Sequence, residues 1–429
     1  MKRKFLVFSA LSASLLGNPV MAEDLLEVYQ LAVGSDPQLR QAAASRLSTA
    51  EARPQAKSAL YPQISASANS TWNETGSVAS FNNKGYSLSL TQAIYNHQTY
   101  ANLRAADAQI AQSEATYKAT EQDLIVRVAT AYFDLLGAGD DLEFARAEKK
   151  AISRQLEQAQ KRFEVGLIAI TDVHEAQARF DLSTSQEISA INGVDSAREA
   201  LAEITGQAHE QLSTLGNGMQ LVSPDPQDLN EWTAQAEQTN FSLAASRSGA
   251  SAAQESIAIQ KADRYPTVSL VGSHGHTESN GGTSRGNRDS NSIALQVSVP
   301  LFTGGLTSAN VRQAEYDYTA ALESLEQTRR SVVRQTRDAY RGVEAGIAQV
   351  KALEQALVSN ESAVKATKAG FDVGTRTIVD VLDAQRGLYD AIRDLKRAKY
   401  DYIVATLQLK QAAGSLNVAD LDAVNGWLN

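Results

Sequence analysis

Apolar and polar residues alternate one by one in two parts of this chain, which lie within residues 63–96 and 266–302. The first run places Ile64, Ala66 and Ala68 on one side and small polar residues on the other. A two-residue period is typical of a β-strand that has one apolar face. Runs of about ten such residues suit a tilted strand in a membrane and also a half-buried strand of a soluble sheet. The alternation predicts four strands, at about 63–75, 85–96, 266–278 and 291–302.

Long stretches with helical periodicity follow each pair of predicted strands. No proline occurs from Gln98 to Glu164, nor from Leu306 to the end of the chain. Apolar residues such as Ile152, Leu156 and Ala159 are spaced by four and three residues, which is typical of a coiled coil. A helix of this length is a rod of about 100 Å. Such a rod exceeds any globular core, so it must lie against other rods.

A duplication accounts for this order of elements. FEVGLIAITDVHEAQA, Phe163 to Ala178, matches FDVGTRTIVDVLDAQR, Phe371 to Arg386, at half of its positions. Other matching pairs keep nearly the same separation along the chain, including Ala131-Tyr132 with Ala339-Tyr340. We therefore predict two structural repeats, each with two β-strands and long α-helices. The predicted divisions are a first repeat at 23–213, an equatorial linker at 214–238, a second repeat at 239–415 and a C-terminal equatorial segment at 416–429.

The N-terminus has the pattern of an export signal. Three basic residues precede the apolar run Phe5 to Leu16, and Val20-Met21-Ala22 ends in a small residue suited to cleavage. We predict that residues 1–22 are a signal peptide, because the apolar run is too short to span a bilayer. No later segment has 18 consecutive apolar residues, so a membrane crossing by this chain would have to use strands.

Composition limits the possible chemistry and partners. The chain has no cysteine, which excludes disulfides, thiolate metal sites and a cysteine nucleophile. Its formal charge of −9 disfavours nucleic acid as a partner. We find no phosphate-binding glycine loop and no nucleophile elbow. His274 and His276, separated by one residue, are a weak signal for a metal. The sequence therefore predicts no enzyme, no cofactor and no metal site.

The two turns carry the residues of greatest interest. Gly166 and Gly374 lie where each long helix must reverse, and glycine permits the left-handed conformation that ends a helix. Asp380 and Asp383, at i and i+3, project from one face of the returning helix. Several copies of that face would raise the pKa values of these carboxyls and favour cations. The simpler reading is an ordinary solvated acidic face.

Four strands cannot close a barrel, so a membrane-embedded sheet requires several chains. The two-repeat layout and the turns VGLIAITDV and VGTRTIVDVLD resemble the TolC-like outer-membrane efflux proteins, or outer membrane factors. The resemblance implies a mixed α and β membrane protein that forms a homotrimer with a shared twelve-stranded barrel and a periplasmic α-helical tunnel. It also implies a passive exit channel for drugs, bile salts or exported proteins. The implied partners are outer-membrane lipid, a periplasmic adaptor and an inner-membrane pump.

The resemblance also implies roles for the turn residues. Asp380 and Asp383 would form the acidic rings of a gate, and Arg376 would be a latch that binds Thr171 and Asp172. Phe371 departs from the family, which often has a tyrosine there, so one hydroxyl bond of the closed state is missing. The adaptor would dock at the two tips, formed by Val165, Gly166, Leu167, Val373, Gly374 and Thr375.

A periplasmic coiled-coil stalk or adaptor protein is the alternative interpretation. It accounts for the long heptads but gives no reason for four matched alternating strands. A channel would stay in the outer membrane on extraction, whereas a stalk would wash off with salt.

Overall fold

A computed structural model describes residues 22–76, 78–216, 218–281 and 285–429. The predicted signal peptide, apart from its last residue, lies outside this part of the chain. The helices are α1 (Leu25–Ser35), α2 (Pro37–Ala50), α3 (Ala52–Ser58), α4 (His97–Glu164), α5 (Ile170–Thr205), α6 (Leu229–Thr239), α7 (Phe241–Ala262), α8 (Leu306–Asp372), α9 (Ile378–Ala412) and α10 (Val418–Asn425). The strands are β1 (Gln63–Thr75), β2 (Val78–Tyr95), β3 (Thr267–Ser279) and β4 (Gly286–Ser298).

The chain is a mixed α and β protein built from two repeats of one plan. In each repeat, short helices precede a pair of strands, a very long helix, a tight turn and a returning helix. The long helices α4 and α8 have 68 and 67 residues, and the returning helices α5 and α9 have 36 and 35. Both returning helices end at a glycine with positive φ, Gly206 at 76° and Gly414 at 72°. The helix lengths and both glycines therefore follow the duplication seen in the sequence.

The strands form one antiparallel sheet in the order β1-β2-β3-β4. One face is lined by small polar residues, and its hydroxyls pair across strands, as in Ser65 with Ser89 at 2.8 Å and Ser273 with Ser292 at 2.7 Å. The other face contains an apolar row that crosses all four strands, consisting of Ile64, Leu90, Gly272 and Ile293. The sheet thus has a polar face and an apolar face, and β1 and β4 are its edges.

Two strands differ in extent from their predicted bounds. The strand predicted at about 85–96 begins at Val78, and the strand predicted at about 291–302 covers Gly286–Ser298. The added segments are rich in Asn, Ser and charged residues, so they lack the alternation used for prediction. They pair nevertheless, because ladder hydrogen bonds use only the backbone. The predicted division points between repeats and linkers stay predictions.

The principal hydrophobic cluster lies near the middle of the rods, where both chain ends meet the long helices. Its members come mainly from α1, α4, α9 and α10, and Phe133 of α4 stacks on Tyr400 of α9 at 5.4 Å between ring centroids. Farther along α4, Asp140 accepts hydrogen bonds from Lys396 and from Tyr400 of α9, at 2.5 and 2.7 Å. The long helix of the first repeat is therefore anchored to the returning helix of the second.

Hydrogen bonding and charge fix the start of α2. Asp36 is buried and caps the helix by accepting from the Leu39 amide at 2.7 Å. Arg127 of α4 donates to both oxygens of this carboxylate, at 3.1 and 2.9 Å. Burial alone would raise the pKa of Asp36, but the arginine and the helix amides hold this pKa below its usual value. Within the described ranges, no helix is both long and apolar enough to cross a membrane.

Candidate functional site at the two helix-turn-helix tips

The two tips share a backbone design. Each long helix ends just before a glycine in the left-handed region, Gly166 with φ 76° and Gly374 with φ 79°. Apolar residues on both sides of these glycines are exposed, with Val165 at 69% and Val373 at 75%. Leu167 is likewise 73% exposed. Exposed apolar side chains at the end of a rod form a surface suited to a protein partner.

The second turn is more strongly hydrogen-bonded than the first. Thr377 and Asp380 form a capping box, in which the Thr377 amide donates to the Asp380 carboxylate at 2.8 Å and the Asp380 amide donates to the Thr377 hydroxyl at 3.2 Å. The amides of Thr375 and Arg376 both donate to the carbonyl of Gly370. The first turn has Ala169 at the capping position, and Ala169 offers no side-chain hydrogen bond.

This capping role changes the expected electrostatics of Asp380. The backbone amide of Thr377, then its hydroxyl and more weakly Arg376, hold the pKa of Asp380 below its usual value. The reason is that a carboxylate that accepts N–H and O–H bonds is stabilised in its charged form. The expected rise in pKa concerns several copies of the acidic face brought together, and it stays a prediction.

Asp383 also has a partner within the chain. Its Oδ1 lies 2.8 Å from Nη1 of Arg179 on α5, while the side chain of Asp383 remains 58% exposed. Glu175 lies one turn earlier on α5 and approaches the same guanidinium at 3.7 Å. The pair joins the α4–α5 hairpin to the α8–α9 hairpin.

Arg376 does not meet its predicted partners within one protomer. Among the described residues, no hydrogen bond or ion pair joins Arg376 to Thr171 or to Asp172. The Arg376 side chain is exposed and passes beside Gly370, where a Cβ atom would lie 2.8 Å from the Arg376 Cγ. Asp172 lies in the first turn of α5, and Thr171 is exposed next to it. The latch remains a prediction that concerns the assembled protein.

Two further contacts join the hairpins near the tip. Gln155 of α4 donates to Gln385 of α9 at 3.3 Å, and the Arg162 guanidinium lies 4.7 Å from the ring centroid of Phe371. Arg162 therefore makes a cation–π contact with Phe371, the position at which a tyrosine was expected from the family resemblance. Sequence reasoning missed Arg162 and Arg179. Comparison of the two repeats could have pointed to Arg179. Glu175 is the repeat counterpart of Asp383, and Arg179 lies one helical turn after Glu175 on α5.

The histidines of β3 have local partners. His274 pairs with Asn291 and His276 with Asp289, each at 2.6 Å, and Tyr86 stacks on His276. Over the described ranges no three His, Cys, Asp or Glu residues are placed to hold a metal ion.

Comparisons with known proteins agree with this arrangement. The outer membrane efflux protein family model matches residues 28–207 and 232–415. The outer membrane protein TolC of Vibrio cholerae is 41% identical and aligns over 100% of this chain and 99% of its own. The alkaline protease secretion protein AprF of Pseudomonas aeruginosa is 31% identical over 96% of this chain and 88% of its own.

Solved structures show the same fold. The Campylobacter jejuni CmeC outer membrane channel superimposes with a TM-score of 0.81 and 18% identity, over 100% of this chain and 98% of that one. Such low identity is informative about fold alone. The full-length relatives and the two-part family match, together with the two-repeat fold, identify the chain as a member of the outer membrane efflux protein family, located in the outer membrane with a periplasmic extension.

Proposed function

We propose that three copies of this chain form a passive exit channel, with a shared twelve-stranded barrel and a periplasmic α-helical tunnel. The observation that carries the proposal is the open sheet with one polar and one apolar face. Such a sheet cannot sit in lipid with unpaired edges, because each unsatisfied backbone group costs several kcal/mol there. Pairing of β4 with β1 of the next copy removes both edges.

The duplication suggests the register of that pairing. Within the chain β2 meets β3, and Tyr86 lies opposite His276. The repeat counterparts of these two residues are Ile293 on β4 and Trp72 on β1. Both belong to the apolar face and are exposed in the protomer, at 84% and 67%. Contact between them across copies would continue the apolar band around the barrel.

The gate belongs to the same proposal. Asp380 and Asp383 of three copies would form two acidic rings at the periplasmic end of the tunnel, and Arg376 would latch onto Thr171 and Asp172 once copies assemble. The Arg179–Asp383 pair supports this placement, because it ties the acidic face to the neighbouring hairpin. The open state requires these ties to break as the two hairpins separate.

The exposed tips suit an adaptor. Val165, Gly166 and Leu167 on one tip, and Val373, Gly374 and Thr375 on the other, would receive the hairpin of a periplasmic adaptor that links the channel to an inner-membrane pump. Drugs and bile salts would be one class of cargo. Exported proteins would be a second class, which the secretion name of the relative AprF favours.

Conductance in a planar bilayer tests the channel and its gate together. We expect the purified protein to give a small, cation-selective conductance, and the double variant Asp380→Asn with Asp383→Asn to lose that selectivity. A large and unselective conductance in the unaltered protein would support the proposed channel and contradict the proposed gate. A protein that salt removes from membranes and that gives no conductance would instead be the coiled-coil stalk.

A further inference from the structure

A row of arginines on α8 lies on the side of that helix away from its own core. Arg330, Arg334, Arg337 and Arg341 are spaced by four, three and four residues, so they share one face. All four are exposed, whereas Val332, Thr336, Tyr340 and Val343 of the same helix segment are buried. Arg330 pairs with Glu326, and Arg334 and Arg341 both approach Asp338, so these three arginines have partners on α8 itself. Among the described residues, none forms an ion pair with Arg337.

The repeat relation shows what covers this face in the first half of the chain. The counterparts of Arg337 and Arg341 are Ala129 and Phe133 on α4, which are 0% and 2% exposed. They belong to one hydrophobic cluster with Ile403 and Leu407 of α9, on the second repeat. The same helix position is therefore covered in the first repeat and uncovered in the second.

The helix that would cover it is α5 of another copy. In a closed ring, α4 of each chain contacts α9 of its own second repeat, so α8 must contact α5 of the following chain. The α5 counterparts of Ile403 and Leu407 are Asp195 and Glu199. Both acids are exposed in the protomer, where Asp195 pairs with Arg198 of its own helix at 3.1 Å. Positions that are apolar in the contact between α4 and α9 are thus basic on α8 and acidic on α5.

A second pair of sites supports the same relation nearer the sheet. Arg104 of α4 forms an ion pair with Glu255 of α7 at 2.8 Å, across the two repeats. The counterparts are Arg312 on α8 and Glu51 beside α2, and both are exposed. Neither has an ion pair within the described ranges. The duplication has thus kept a donor and an acceptor that could meet only between copies.

We propose that the seams between copies are ionic, with Arg337 and Arg341 of one chain facing Glu199 and Asp195 of the next, and with Arg312 facing Glu51. This inference rests on the proposed three-copy assembly and names the surface that joins the copies. A charged seam keeps the unassembled chain from exposing a second apolar stripe. It also favours one order of copies, because facing two arginine rows would be repulsive.

Charge reversal tests the ionic seam. We expect Arg337→Glu with Arg341→Glu to lower the fraction of trimer at least tenfold at equal protein concentration, as measured by native mass spectrometry in detergent. Adding Asp195→Arg and Glu199→Arg to the same chain should restore the trimer. Lys150→Glu with Arg154→Glu changes the same amount of charge at exposed positions of α4 and should leave assembly unchanged. Normal assembly of the reversed variant, or no recovery in the fourfold variant, overturns the inference.

Cross-linking separates this inference from the proposed channel. The chain contains no cysteine, so paired cysteines report one contact each. Arg341→Cys with Asp195→Cys probes the seam, and Trp72→Cys with Ile293→Cys probes the barrel edge, both with a short bifunctional thiol reagent. We expect covalent multimers from both pairs. If only the Trp72–Ile293 pair gave multimers, the ionic seam would be wrong and the proposed channel would still be supported. If neither pair gave multimers, both proposals would be wrong.

Discussion

Arg179 Nη1 lies 2.8 Å from Asp383 Oδ1, and this ion pair joins the returning helices of the two repeats within one protomer. One of the two acids proposed for the gate is thus held by a cation from the same chain. The pair is half exposed, and exposed ion pairs contribute only modestly to stability. Its importance is geometric, because it fixes the side chain of Asp383 relative to the α4–α5 hairpin.

Loss of this pair should loosen the closed tip. We expect Arg179→Gln to raise single-channel conductance severalfold, because the hairpins lose a direct tie and Asp383 gains freedom. Lys161→Gln is a matched control, since its one ion-pair partner among the described residues is Glu157 of its own helix, at 2.6 Å. Equal conductance of the Arg179 variant, the control and the unaltered channel would remove Arg179 from the gate.

The cap at Thr377 should depend on pH. Because the pKa of Asp380 is lowered on folding, its contribution to stability is present above the ordinary carboxyl value of 3.8 and is lost as the pH falls below it, through the folded pKa. We expect amide exchange at the start of α9 to accelerate in this acidic range, after correction for the intrinsic pH dependence of exchange.

A variant at the same position provides the control. Asp380→Asn cannot ionise, so its exchange at the start of α9 should already be faster at neutral pH and should not change further with acid. Alanine at Asp372, an exposed residue that ends α8, should retain the acid response of the unaltered chain. A flat profile in the unaltered chain would contradict the capping role.

Much of the fold could be predicted because it follows from periodicity. The two-residue alternation marked the strands, and the absence of proline together with heptad spacing marked the rods. The duplicated turn then connected both into one repeated plan. The capping of α2 could also be anticipated, since Asp36 precedes Pro37, a combination that begins helices.

The contacts of the tip could not be predicted in the same way. Arg179 and Asp383 are far apart in sequence, and their meeting depends on how two hairpins pack, which no local pattern encodes. The lowered pKa of Asp380 likewise depends on the direction of its carboxylate. The hydrogen bonds from Thr377 that lower this pKa within one protomer leave no mark in the local pattern of charges.

The glycines that end the returning and long helices allow a matched test of backbone strain. Gly166 and Gly414 have similar φ values, 76° and 72°, but different surroundings. A Cβ at Gly166 would meet no atom of the described part of the chain within 4 Å, whereas at Gly414 it would overlap the carbonyl of Thr239. We expect Gly166→Ala to cost about 1 kcal/mol, from the left-handed conformation alone. Gly414→Ala should cost clearly more, because the backbone of Thr239 must also move.

Urea unfolding followed by circular dichroism, with each variant in the same detergent, measures this difference. Gly206→Ala is a useful intermediate, because its φ is 76° and its nearest neighbour is the Cβ of Ser35 at 3.3 Å, a milder contact than the overlap at Gly414. The order of midpoints should be Gly166→Ala, then Gly206→Ala, then Gly414→Ala, from most to least stable. Equal midpoints for all three would mean that the Thr239 carbonyl imposes no constraint.

The buried carboxylate of Asp36 combines two roles that substitution can separate. Asp36→Ala removes the cap of α2 and one of the two carboxylates that pair with Arg127, the other being that of Asp123. We expect a loss of about 3 kcal/mol, because a lost cap costs about 1 kcal/mol and hydrogen bonds to a charged group contribute about 1.5 to 3 kcal/mol. Asp36→Asn should lose less, since asparagine also caps helices and can still accept one bond from the guanidinium.

Arg127 provides the complementary measurement. Arg127→Met removes the cation and keeps most of the aliphatic length, which leaves the cap bond to Leu39 in place. In this variant the pKa of Asp36 should rise, because burial then acts without the arginine. The unaltered chain loses stability as the pH falls through the lowered pKa of Asp36, so the stability deficit of Arg127→Met should be largest near neutral pH and should shrink in the acidic range. If thermal unfolding of Arg127→Met matched the unaltered chain across that range, Asp36 would act only as a helix cap.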